Sequence, residues 1–315
     1  MRPISHVPVL LNEALDLLRP RAGGRYVDGT VGGGGHAEAI LERSSPDGRL
    51  LGLDLDPEAL ARAAERLKRF GDRVVLVHES FADLERVVRW YEFAPADGII
   101  LDLGVSSFQL AHPTRGFGFQ TAAPLDMRFN PHQAGPTARE LVNTLDAAAL
   151  AEILRRYGEE PRAAAVARAI VQRRAKAPIE TTTELAEIVT RVYGHRRGKI
   201  HPATRTFQAL RIAVNRELEA LERALPQAIE VLETGGRLVV IAFHSLEDRI
   251  VKHFFADQAA TCVCPPGLPV CVCGRHPRVR ILTRRPIRPS AEEIQANPRS
   301  RSAILRAVER LPEER

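Results

Sequence analysis

The run Arg25-Tyr26-Val27-Asp28-Gly29-Thr30-Val31-Gly32-Gly33-Gly34-Gly35-His36 decides how the chain folds. A short β-type pair, Tyr26 and Val27, ends on a carboxylate. A loop with five glycines follows, and Ala37-Glu38-Ala39-Ile40-Leu41 resumes as helix. Glycine is needed where the backbone takes positive φ, or where a ligand lies against the main chain with no Cβ in the way. Strand, glycine turn and helix make the first unit of an open α/β sheet, whose ligands sit beyond the carboxyl ends of the strands. Several cofactors use such a loop, so its meaning depends on its surroundings.

Upstream, Pro8 to Leu18 reads as an amphipathic helix, with Leu10, Ala14, Leu17 and Leu18 on one face. Downstream, Arg49 to Asp54 is a second apolar run closed by a carboxylate, and Asp56-Pro57 opens a helix to Phe70 as cap and first residue. Val74 to Val77 forms a third strand, a helix follows from Ala82 to Trp90, and Gly98 to Asp102 is a fourth strand, again closed by aspartate. Short, continuously apolar runs suit parallel strands buried on both faces.

From Leu103 to Pro136 no period survives, and four phenylalanines (Phe108, Phe117, Phe119, Phe129) indicate a long ordered loop. Thr137 and Glu140 have capping-box spacing. Asp146 can cap a helix to Tyr157, and helices are expected over Arg162–Arg174, Thr183–Tyr193 and Ala203–Leu225. The sheet resumes at Gly236–Phe243, with a helix from Leu246 to Phe255, and Ser300–Leu311 reads as a strand or helix on the sheet edge. The fold class is therefore α/β, a doubly wound sheet in two parts, 1–136 and 224–315, with an all-helical domain inserted at 137–223.

With 315 residues, 44% hydrophobic and 27% charged, the chain can bury a sizeable core. The net charge of +6 favours a polyanionic partner. Lysine occurs only at Lys68, Lys176, Lys199 and Lys252; the arginine bias suits phosphate recognition, and a GC-rich genome also produces it. Asn12, Glu13 and Asp16 interrupt any signal-peptide pattern, and no apolar run approaches the ~20 residues that span a bilayer. A cytoplasmic location and no membrane partner are the expectations.

Asp28, Asp54 and Asp102 end three strands that would share one sheet edge. One reading makes them strand-end turn formers and nothing more. Asp54 also lies 22 positions after Gly32, near the ~20-residue offset at which an acidic residue binds a ribose diol, and Gly32-x-Gly34-x-x-Ala37 fits the dinucleotide fingerprint. A nicotinamide-dependent oxidoreductase is one reading. Against it, Asp28 would face two phosphates, and Asp102 makes the mouth more anionic still. S-adenosylmethionine offers an adenosine for Asp54, a cationic methionine end and no phosphate.

The segments Asp28-Gly29-Thr30-Val31-Gly32-Gly33-Gly34-Gly35-His36, Asp102-Leu103-Gly104-Val105-Ser106-Ser107-Phe108-Gln109-Leu110, Pro124-Leu125-Asp126-Met127-Arg128 and Phe243-His244-Ser245-Leu246-Glu247-Asp248-Arg249 resemble the RsmH (MraW) family. So do Ser5-His6-Val7-Pro8-Val9-Leu10 and Asn297-Pro298-Arg299-Ser300-Arg301-Ser302-Ala303, so the likeness covers nearly the whole chain. It implies a Rossmann-like class I S-adenosylmethionine-dependent methyltransferase acting on the exocyclic N4 of a cytidine in 16S ribosomal RNA of the small ribosomal subunit. It places cofactor contacts on Gly34, Gly35, His36, Asp54, Phe81, Asp102 and Gln109. Ala111 stands where aspartate is usual, and Gly118 and Phe129 are also variants. A non-catalytic RNA-binding protein with this fold is the second rival. No DNA partner is expected, and the oligomeric state is open, a dimer included.

Asp102 and the carbonyls of the following turn can accept the N–H protons of a cytosine amine, so Asp102 is a catalytic candidate. His244, after the fifth strand, is another candidate, for contact with RNA or base; its alternative is a helix-capping role. The loop phenylalanines either stack on bases, at ~1–3 kcal/mol each, or pin the loop down. Arg155-Arg156, Arg173-Arg174 and Arg205 can be solvated faces, whereas Arg196, Arg197 and Lys199 in the turn Tyr193–Pro202 lack acidic partners and suit phosphate. Cys262-x-Cys264 and Cys271-x-Cys273 are narrower than usual zinc pairs. They are read as reduced thiols or a disulfide, with a structural ion as the alternative, and no metal is assigned.

Overall fold

The computed structural model describes residues 8–194, 201–262, 264 and 273–313. The expectations for Ser5-His6-Val7, for Arg196, Arg197 and Lys199, and for Cys271 fall outside them. The chain forms two compact units, residues 1–104 with 219–315, and Val105–Leu218.

The first unit is built on a seven-stranded sheet of order β3-β2-β1-β4-β5-β7-β6. Its strands are β1 (Arg25–Asp28), β2 (Arg49–Asp54), β3 (Val74–His78), β4 (Ala96–Asp102), β5 (Leu232–Ala242), β6 (Val279–Ile281) and β7 (Ile304–Arg310). The first five pair in parallel; β7 runs antiparallel to both β5 and β6. Val75, Leu51, Val27, Ile99 and Leu238 align in one row across the parallel strands. Successive side chains alternate faces. Val27, Leu51, Ile99 and Leu238 pack into one buried cluster, and Tyr26, Leu50, Ile100 and Val239 into the other.

Most local expectations hold within a residue or two. Asp56 caps the helix Pro57–Leu67 by accepting from the Glu58 N–H at 3.0 Å. The first helix starts only at Leu11, because Leu10 sits in the left-handed region at φ 51°. The C-terminal element is a strand but not the edge: β7 lies between β5 and the three-residue β6, which sequence reasoning missed.

The second unit gathers the helices Ala138–Thr144, Ala147–Gly158, Ala163–Arg174, Thr182–Tyr193 and Ala203–Asn215. Thr137 with Glu140 forms the anticipated capping box, and Asp146 caps the next helix through the Ala149 N–H. The single helix expected over Ala203–Leu225 breaks at Arg216, whose φ is 52°, and a separate helix runs Glu217–Val231. This unit starts at Val105 rather than at 137, because the aperiodic segment is stitched to the helices. Asn215 donates to the Met127 carbonyl at 2.7 Å and accepts from the Phe129 N–H at 2.7 Å. Phe117 stacks on Phe129 at 5.7 Å, and Phe119 meets Phe207 edge-on at 4.8 Å. These three rings pin the segment to the helical core. Arg155 pairs with Glu152, and Arg173 and Arg174 donate to the carbonyls of Ala177 and Val142.

Candidate active site

The glycine loop is sewn to the strands on either side of β1. The Gly29 N–H donates to the Ile100 carbonyl at 3.0 Å, and the Val31 N–H to the Leu53 carbonyl at 2.8 Å. Gly34 caps the helix Gly35–Arg43 with φ 79°, in the left-handed region. At Gly35 an added Cβ would lie 2.4 Å from Pro8 Cγ, so only glycine lets the incoming N-terminal segment cross here. Chain order reverses between β1 and β4, which makes this the switch point of the sheet, where open α/β folds bind ligands.

Asp28, Asp54 and Asp102 end β1, β2 and β4, which are neighbours. The sequence-level convergence of the three is therefore real. Asp54 accepts from the N–H groups of Gly32 and Asp56, both at 2.8 Å, and burial pushes its carboxyl up to about 6. Asp28 is 1% exposed, accepts from the Thr30 N–H at 3.1 Å, and is pushed up to about 7 by burial, with the Asp54 charge adding to the shift. Asp102 is raised well above the usual range by burial first, then by Asp28 and Glu247. Its side chain remains 24% exposed while its Oδ1 is buried with no hydrogen-bond partner, so it stands at the mouth of a poorly solvated recess. Among the described residues, none of the three pairs with Arg or Lys.

His36 is buried in the first turn of the Gly35–Arg43 helix. Its Nε2 lies 3.1 Å from the Val9 carbonyl and its Nδ1 3.5 Å from Asp102 Oδ2. A carbonyl can only accept, so Nε2 carries hydrogen and Nδ1 is the nitrogen turned to Asp102. A bare Nδ1 facing an ionised carboxylate is unfavourable. The pair therefore holds a proton, on the imidazole or on the raised carboxyl. Thr30 completes the group by accepting from the Asp102 N–H at 2.6 Å.

Past β5, His244 is the N-cap of the helix Ser245–Gln258: its Nδ1 accepts from the Glu247 N–H at 3.3 Å. Glu247 returns the bond, accepting from the Phe243 N–H at 2.8 Å and the His244 N–H at 3.3 Å. The His244 Nε2 lies 3.1 Å from Glu247 Oε1 without hydrogen-bond geometry. This is the capping role the sequence also allowed. Phe81 starts a short 3-10 turn after β3 and packs partly buried on the core cluster that contains Leu101. Gln109 belongs to the helical unit, where it closes a capping box with Ser106. Thr30, Glu247 and the Val9 carbonyl were missed by sequence reasoning. Only the capping-box spacing from His244 to Glu247 signals any of them.

The donor set fits a cationic ligand carrying a diol. Asp54 has lone pairs left after the Gly32 and Asp56 contacts, the buried Asp102 Oδ1 has no hydrogen-bond partner, and among the described residues no Arg or Lys pairs with the raised carboxyls. A pyrophosphate would meet the same carboxylates with repulsion.

Residues 3–311 match the MraW methylase family. A protein of Thermomicrobium roseum named Ribosomal RNA small subunit methyltransferase H is 62% identical over 307 residues, covering 98% of this chain and 94% of that protein. Proteins of the same name from Dehalococcoides mccartyi and Syntrophotalea carbinolica are 55% and 54% identical, covering 99% and 97% of this chain and 88% and 98% of those proteins. Among solved structures, a putative rRNA-methylase from Clostridium thermocellum is similar over 98% of this chain and 99% of its own, at 14% identity and a TM-score of 0.46.

Proposed function

The chain belongs to the MraW methylase family, and from that premise we propose that it methylates the exocyclic N4 of a cytidine in 16S ribosomal RNA of the small subunit. It is an S-adenosylmethionine-dependent ribosomal RNA methyltransferase. The observation that supports this most directly is the switch-point edge with three carboxylates, none of which pairs with Arg or Lys among the described residues. It suits a sulfonium donor and opposes a dinucleotide. The helical unit is the substrate-recognition domain, and the enzyme works in the cytoplasm, where its RNA is made. No helix among the described residues is long and apolar enough to cross a membrane.

S-adenosylmethionine, when bound, supplies an electrophilic methyl group. Asp54 would accept from its ribose hydroxyls, and Gly34, Gly35, His36 and Phe81 would line the same edge. The cytosine amine is a weak nucleophile because its lone pair is delocalised into the ring, so placement dominates the barrier. Asp102 would supply an acceptor that draws an N–H of the amine outward and turns the nitrogen lone pair toward the methyl group. The nitrogen is acidic once methylated, and with the proton already shared by the pair resting on the His36 imidazole, the ionised Asp102 carboxylate would take the one released. His244 sets Glu247 beside Asp102, and Glu247 raises the proton affinity of that carboxylate.

Tritiated methyl transfer to under-methylated small subunits, with the nucleoside identified by mass, tests this reading. N4-methylated cytidine is expected. Transfer to another base, or calorimetric binding of NAD in place of S-adenosylmethionine, would overturn it.

A further inference from the structure

Residues 259–278 connect the helix Ser245–Gln258 to β6. The base of this excursion is closed by the Arg278 N–H donating to the Gln258 carbonyl at 2.8 Å and by an Arg275–Asp257 ion pair at 2.8 Å. The Sγ atoms of Cys262, Cys264 and Cys273 all lie within 4.8 Å of one another. Cys262 and Cys273, from opposite limbs of the loop, are 3.9 Å apart, and the Cys264 N–H donates to Cys262 Sγ at 3.3 Å.

These distances discriminate between fates. A disulfide needs its sulfurs about 2.0 Å apart, roughly half the separation found here. Thiolates around a tetrahedral zinc, each about 2.3 Å from the ion, stand about 3.8 Å from one another. The N–H aimed at Cys262 stabilises sulfur as thiolate and would stabilise a neutral thiol less. Narrow Cys-x-Cys spacing argues against zinc only when both pairs must act as independent knuckles. Here one pair and a single cysteine from the far limb already converge.

We propose that the 259–278 loop carries a structural metal site in which Cys262, Cys264 and Cys273 ligate a thiophilic divalent ion, Zn²⁺ by softness and geometry. Cys271 lies outside the described residues. The ion cross-links two limbs that otherwise meet through polar contacts at the loop base, and each ligating thiol releases its proton to solvent. The site is independent of the methyl-transfer reading.

The full chain, purified with reductant and without chelator, is tested by elemental analysis and thiol counting. About one zinc per chain is expected, falling to background in a Cys262→Ser, Cys273→Ser variant. Because that variant can misfold, metal-free wild type is also titrated with Co²⁺. Thiolate charge-transfer and tetrahedral d–d bands, displaced by Zn²⁺, are expected. Reduced protein that gives no such bands and retains no stoichiometric zinc overturns the site. So does native protein two hydrogens lighter by intact mass, with the thiols held as a disulfide.

Discussion

At the residue scale, the buried carboxyls of Asp28 and Asp102 each have a measurable signature. An ordinary aspartate titrates near 3.9, whereas burial holds Asp28 at about 7 in the folded chain. The folded state therefore binds that proton more tightly than the unfolded one. Stability falls as pH rises between those two values, and the loss persists above them. Replacing Asp28 by Asn removes the charge and keeps an oxygen for the Thr30 N–H. Thermal denaturation should show Asp28→Asn above wild type at pH 8, by on the order of a few kcal/mol, with the gap closing by pH 4. An offset independent of pH would sink this account. For Asp102, the Ala variant should lose about 10²–10⁴-fold in kcat at saturating S-adenosylmethionine. If affinity for the methyl donor fell and turnover survived, Asp102 would be a binding group and not the acceptor.

Among the elements, the aperiodic segment after Gly104 shows how a stretch without helix or strand period stays ordered. Met127 is fully buried at φ 63°, a conformation that costs a non-glycine residue about 1–2 kcal/mol and persists only where neighbours impose it. Asn215 at the end of the Ala203–Asn215 helix bonds both the Met127 carbonyl and the Phe129 N–H. Asn215→Ala strands both groups and should cost about 2–3 kcal/mol. Limited proteolysis should then cut first between residues 105 and 136, and a digestion pattern like that of wild type would count against this role. None of this was legible in the sequence, since Asn215 and Met127 are 88 residues apart and share no spacing rule. The caps were legible. Asp56, Thr137 and Asp146 act within three residues of themselves, a distance at which sequence and geometry are nearly the same information.

For the whole molecule, the basic balance is a property of the sequence, and it predicts behaviour toward RNA. Neutralising Arg196, Arg197 and Lys199 together should flatten the salt dependence of RNA binding by about 2 in log–log slope, if each meets one phosphate of a single strand. Filter binding across a salt series reads this, and an unchanged slope would remove the turn from the interface. The sequence by itself determined the parallel sheet, because strands buried on both faces must be continuously apolar. It determined the interruption by helices, because the hydrophobic period changes there. It also placed three carboxylates at strand ends. The glycine run with which the chain announces its fold could have served several cofactors on that evidence. Only the tertiary structure decided that β7 lies inside the sheet and not at its rim, since strand pairing is a non-local choice. Only it brought His36 of the glycine loop against Asp102 of β4, 3.5 Å apart. And only burial in that fold, which strips water from Asp28 and Asp102, raised both carboxyls above the ordinary aspartate range, Asp28 to about 7.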